Sequence, residues 1–90
     1  MDKKRSKLEV IYDILDIIKK NKNSIKMTPL LRHSNLSSER FGKYFSELVE
    51  KGFVREIDDE NGKSVTLTDK GFTYLEKYRT IVSFIDEFDL

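Results

Sequence analysis

The hydrophobic period of this chain switches at Gly52. Before it, apolar residues recur every three or four positions. After it they fall into two short runs on either side of Asn61-Gly62, and a helical period then resumes. Helices bury a stripe of period 3.6 and strands one of period 2, so such a switch restricts the chain to a few mixed layouts. Ninety residues give room for one domain and a modest core.

The first helical stretch runs from about Lys7 to Lys20. Ser6 and Glu9 have the spacing of a capping box at its start. Leu8, Ile11, Leu15 and Ile18 form an apolar stripe, which Val10, Ile14 and Ile17 widen on one side. Lys19 and Lys20 suit the negative end of the helix dipole, and Asn21-Lys22-Asn23-Ser24 breaks the helix. A short second helix is expected with Thr28 as N-cap and Pro29 at the first helical position, with Leu30 and Leu31 on its apolar side. It ends near Ser34-Asn35, since Asn tolerates the left-handed conformation, and Leu36 plugs the turn. A third helix starts after Ser37 or Ser38 and runs to Lys51, with Phe41, Phe45, Leu48 and Val49 inward and Gly52 as C-terminal cap.

Phe53 to Ile57 and Ser64 to Leu67 read as two strands joined by a tight turn at Asn61-Gly62. Thr68 caps a last helix over about Asp69–Glu87. Two helices joined by a turn of about three or four residues match the helix-turn-helix plan. The expected fold is mainly α with a small β-hairpin (α+β). A winged helix-turn-helix unit occupies residues 1–68, and a C-terminal helix over 69–90 packs on it and forms a dimer interface.

Charge divides the chain unevenly. Residues 1–51 carry 12 Lys/Arg against 7 Asp/Glu, a net of +5. Residues 52–90 carry 5 against 9, a net of −4. A face for a polyanion and a face that avoids it would produce this division, as would a chance excess of Lys near the N-terminus. With Phe41, Phe45 and Leu48 inward, a wheel of about 100° per residue turns Glu39, Arg40, Lys43, Ser46, Glu47 and Glu50 outward. The first residues of such a second helix meet base edges. Arg40 can donate two hydrogen bonds to a guanine, and Lys43 can serve a base or a phosphate. Ser37 and Ser38, with the free N–H groups beside them, can hold a phosphate, and Arg32 can meet another. Outside that context Arg40 and Lys43 are simply a solvated face. Gly42 costs roughly 1 kcal/mol of helix propensity relative to Ala, which either close approach of a backbone or partner or neutral drift accounts for.

The hairpin tip, Asp58-Asp59-Glu60-Asn61-Gly62-Lys63, puts three acids where phosphates would repel them. The tip is expected to stay off DNA or to touch it through Lys63 alone, while Lys3-Lys4-Arg5 is either an arm that supplies positive charge or a frayed solvated tail. On the last helix Phe72, Leu75, Tyr78 and Val82 span one side. Tyr74, Ile81, Phe84, Ile85 and Phe88 extend the apolar arc to roughly 240°. One small domain covers an arc of about 100° or somewhat more, so the remainder calls for a second copy. Tyr74, Tyr78, Ile81, Phe84, Ile85 and Phe88 are the expected interface, with Val10, Ile14 and Ile17 as further contributors. The alternative is that the first and last helices cover each other within one chain.

An enzyme is poorly supported. The chain has no Cys, and its one His, His33, lacks recognisable ligand or acid partners. There is no phosphate loop or nucleophile–base pair, and no cofactor or metal is expected. No apolar run approaches the roughly 18 residues of a membrane span, and the lack of Cys fits a reducing cytoplasm.

The segment Leu36–Val54 (LSSERFGKYFSELVEKGFV), Arg5–Leu15 (RSKLEVIYDIL) and Leu67–Gly71 (LTDKG) resemble the archaeal winged helix-turn-helix family of Sso10a-like and ArnR-like DNA-binding regulators. The likeness covers nearly the whole chain. It implies duplex-DNA binding as a transcription regulator or chromatin-like protein, with Ser38, Arg40 and Lys43 facing the major groove. It also implies a homodimer made by antiparallel pairing of the last helices. The runner-up is a winged-helix protein-interaction module without DNA binding.

Overall fold

The computed structural model describes residues 5–90. Lys3 and Lys4 of the expected arm lie outside them. The elements are α1 (Lys7–Lys20), β1 (Ile25–Lys26), α2 (Met27–Ser34), α3 (Ser38–Glu50), β2 (Val54–Asp59), β3 (Gly62–Leu67) and α4 (Asp69–Glu87). The strands form one antiparallel sheet in the order β1-β3-β2.

Local chemistry sets most of the boundaries. At α1 the Ser6 hydroxyl accepts from the Glu9 N–H and the Glu9 carboxylate accepts from the Ser6 N–H, both at 3.2 Å, so two orphan donors of the first turn are satisfied. Ser37, not Ser38, caps α3 by accepting from the Arg40 N–H at 3.2 Å. The helix ends in a Schellman arrangement. Gly52 sits at φ 79°, its N–H donates to Val49, and the Phe53 N–H donates to Leu48 at 2.9 Å. Asn35 closes α2 at φ 63°, and Leu36 packs half-buried on the core beneath it.

Elsewhere tertiary contacts override the sequence expectation. Thr28 is not an N-cap. Ile25 and Lys26 pair with Val65 and Ser64, so the chain passes straight from strand to helix, and Lys26 occupies the N-cap position without capping the helix through its side chain. This third strand adds to the expected hairpin. Two residues are too few to show a period of 2, and only the arrival of β3 makes them a strand. The hairpin loop is Glu60-Asn61, and Gly62 follows it at φ 104°.

The core comes from every element: Val10, Ile11, Ile14, Leu15 and Ile18 of α1, Ile25, Leu30, then Phe41, Phe45 and Leu48 of α3, with Val54, Val65, Leu67 and Leu75. Val10 and Ile14 are fully buried within the one chain, so they cannot extend a dimer interface. Leu8, expected in the core stripe, is 53% exposed. α1 touches α2, β3 and α4, and a helix with neighbours on several sides buries a wider arc whose centre shifts toward them. Val49, at the shoulder of α3, also stays exposed.

α4 is docked by its first turn. Thr68 accepts from the Gly71 N–H at 3.2 Å and gives its own hydroxyl proton to the Gly52 carbonyl, while its N–H donates to Phe53 at 3.1 Å. One side chain thus joins the end of α3 to the start of α4. Gly71 and Leu75 are buried, but from Arg79 onward every residue of α4 is exposed.

Candidate nucleic-acid interface

α2, the three-residue turn Asn35-Leu36-Ser37 and α3 form the helix-turn-helix unit. Phe41 and Phe45 stack at 5.6 Å on the inner side of α3, which fixes the rotation of the helix. Ser38, Glu39, Arg40, Gly42, Lys43, Ser46 and Glu50 are all exposed on the outer side. Arg40 and Lys43 make no ion pair among the described residues. Guanidinium and ammonium are therefore both free to accept an anionic ligand. Ser37 has committed an acceptor lone pair to its cap, and its hydroxyl proton remains available. Arg32 and His33 are exposed in the last turn of α2.

One acid of α3 is neutralised from outside the helix. Glu47 lies 2.9 Å from Lys7 and 3.7 Å from Lys51. The hydrogen bond to Lys7 holds the Glu47 carboxyl below the usual carboxylate range and raises the Lys7 ammonium in turn. α1 and α3 are thereby linked at the rim of the candidate surface.

The wing carries its acids outward: Asp58, Asp59 and Glu60 are exposed, with Lys63 exposed on the facing strand opposite Asp58. Lys26 bonds the carbonyl oxygen of Asn61 and so holds the hairpin loop to β1. Nothing in the sequence around Lys26 signals this role, because it depends on β1 lying beside the hairpin. Arg5 is likewise not part of a free arm. It donates to Asp13 at 2.8 Å and to the carbonyl of Ser34 at 3.0 Å, tying α1 to the end of α2.

The six residues expected at a dimer interface divide into two groups. Tyr74 and Tyr78 already pack on their own chain: the Tyr74 hydroxyl donates to the Leu8 carbonyl at 2.8 Å, and Tyr78 stacks on Tyr12 at 4.6 Å. Burial pushes the Tyr74 phenol up to about 12, with the neighbouring Tyr78 adding to the shift. Ile81, Phe84, Ile85 and Phe88 are exposed, at 41–56%, and the rings of Phe84 and Phe88 pack on each other with a centroid distance of 4.9 Å. They continue the line of Tyr74 and Tyr78 along one side of α4. Among the described residues, no group of three or more His, Cys, Asp or Glu could hold a metal ion. No described helix is long and apolar enough to cross a membrane.

A family model described as winged helix-turn-helix matches residues 4–85. The uncharacterized protein MJ0287 of Methanocaldococcus jannaschii is 38% identical over 68 residues, which are 76% of this chain and 64% of that protein. Among solved structures, Sso10a-2, a DNA-binding protein from Sulfolobus solfataricus, superposes with a TM-score of 0.75 at 18% identity, covering 93% of this chain and 85% of its own. F93 from STIV, a winged-helix DNA-binding protein, superposes with a TM-score of 0.75 at 20% identity, covering 88% and 91%. The Sso10a-type likeness read from residues 36–54 is thus met in the fold. With the family model spanning both the helical unit and the hairpin that follows it, this chain belongs to the winged helix-turn-helix family.

Proposed function

We propose that this chain is a transcription regulator that binds duplex DNA as a homodimer and carries out no catalysis. The observation that carries the reading is the outer side of α3, where Arg40 and Lys43 are exposed and have no ion-pair partner among the described residues, on a helix whose rotation Phe41 and Phe45 lock. In this reading residues 1–68 are the DNA-binding unit and α4 within 69–90 the dimerisation element. Ser38, Arg40 and Lys43 enter the major groove, and Arg32, Ser37 and Lys63 meet phosphates. The likeness in fold to Sso10a-2 and F93, both DNA-binding proteins, supports it. The bare Ile81, Phe84, Ile85 and Phe88 support the dimer, since burying each large apolar side chain contributes about 1.5–3 kcal/mol. The likeness to proteins of archaea, whose genome lies in the cytoplasm, supports a cytoplasmic location.

The test is a gel-shift titration at two salt concentrations. Affinity is expected to fall steeply as salt rises, because bound phosphates release counterions. Arg40→Ala with Lys43→Ala should weaken binding at least tenfold without loss of fold. Undetectable binding at low salt, or an unchanged affinity in the double variant, sinks the reading. The exposed acids of the wing favour a second one, a protein-interaction module. A stable protein partner combined with no retention on DNA-cellulose would select it.

A further inference from the structure

Glu39 and Lys43 lie on one line of α3, continued by Ser46 and Glu50, and that line is directly opposite Phe41, Phe45 and Leu48. Glu39 is the second residue of the helix, exposed, and has no ion-pair partner among the described residues. Glu47, by contrast, is held by Lys7 and Lys51. Glu50 has no such partner either, but it stands in the last turn, away from the end of the helix that enters a groove. An α3 seated in the major groove, with Lys43 engaged by the DNA, therefore brings to the base edges one carboxylate that has no ion-pair partner among the described residues, between two rows of phosphate.

A carboxylate in that position loses hydration and meets repulsion unless it accepts a hydrogen bond. The groove floor offers two donors, the exocyclic amines of cytosine and adenine. Adenine presents its N7 acceptor beside the amine, which repels a carboxylate. Guanine and thymine present no donor there. We infer that Glu39 is a specificity-determining residue that requires a cytosine at one position of each half-site. This inference rests on the DNA-binding reading above and deepens it: the protein reads a sequence instead of coating any duplex. Favourable interaction of Glu39 with the helix dipole accounts for an acid at this position in the free protein, but it generates no base preference.

Binding-site selection from a randomised duplex library, with the full chain and its Glu39→Ala and Glu39→Gln variants, decides the matter. The wild type should select a motif with a fixed cytosine, and replacing that C·G pair by T·A should cost roughly tenfold in affinity. In Glu39→Ala that penalty disappears and binding to random duplex strengthens. In Glu39→Gln the preference moves to adenine, which glutamine can engage through N6 and N7. A motif whose base preferences are identical in all three proteins overturns the inference, as does a gain that is equal on selected and random duplexes. Failure of the wild type to retain any duplex overturns the underlying DNA-binding reading as well, and so is distinguishable.

Discussion

The α-carbon of Gly71 lies against the backbone carbonyl of Phe53, with no space between them for a Cβ, and a Cβ there would also come within 3.3 Å of the Leu67 side chain. The same carbonyl accepts from the Thr68 N–H, so it cannot swing away. Gly71→Ala should therefore lower stability by roughly 1–3 kcal/mol, despite alanine's better helix propensity. Gly42 is the matched control, also inside a helix but with open space around its α-carbon. Gly42→Ala should raise stability by up to about 1 kcal/mol. Urea midpoints of the two variants check the pair, and equal shifts would contradict the contact.

The Tyr74 phenol titrates at about 12 in the folded chain, against 10.0 for an unperturbed tyrosine. A raised folded pKa means that the unfolded chain gives up this proton first. The associated stability is complete below pH 10.0 and is lost as pH rises through about 12. Alkaline titration followed by phenolate absorbance should show a late step that Tyr74→Phe removes. That variant also loses the hydrogen bond to Leu8, at a cost near 0.5 kcal/mol, because water can replace it at an exposed carbonyl.

Phe84 and Phe88 contribute nothing to the core of their own chain, so charging them tests association alone. Phe84→Asp with Phe88→Asp should convert a dimer to a monomer in sedimentation equilibrium while leaving the circular-dichroism spectrum unchanged. Duplex affinity should fall with the dimer, since two half-sites would no longer be held together. A wild-type protein that sediments as a monomer at micromolar concentration would remove this role for α4.

Neutralising the wing with Asp58→Asn, Asp59→Asn and Glu60→Gln should leave duplex affinity within about twofold, as expected for a tip that touches DNA through Lys63 alone and keeps its acids off the phosphates. Lys63→Ala should lower the slope of log affinity against log salt by about one if that lysine meets a phosphate. A tenfold gain from the neutral wing would instead place the tip on the backbone.

The legible features were those written within a few residues. Ser6 with Glu9, Ser37, Asn35, Gly52 and Thr68 each decide an element boundary through a hydrogen bond or a left-handed φ close by in the chain, and each acts in the structure as its residue type dictates. The outer side of α3 was equally readable, because Phe41, Phe45 and Leu48 alone determine which residues face away. What the local pattern could not hold was set by partners distant in sequence. Ile25 becomes a strand residue because Val65 arrives beside it, and that pairing moves the start of α2 ahead of Thr28. Val10 and Ile14 go to the core and Leu8 to the surface because β3, α2 and α4 surround α1 unequally. Arg5 leaves the arm for Ser34, 29 residues away. Periodicity and caps are properties of one segment and its own backbone, so sequence determines them; the width of a buried arc and the fate of a long cation depend on which neighbouring surfaces arrive, and only the folded chain decides that.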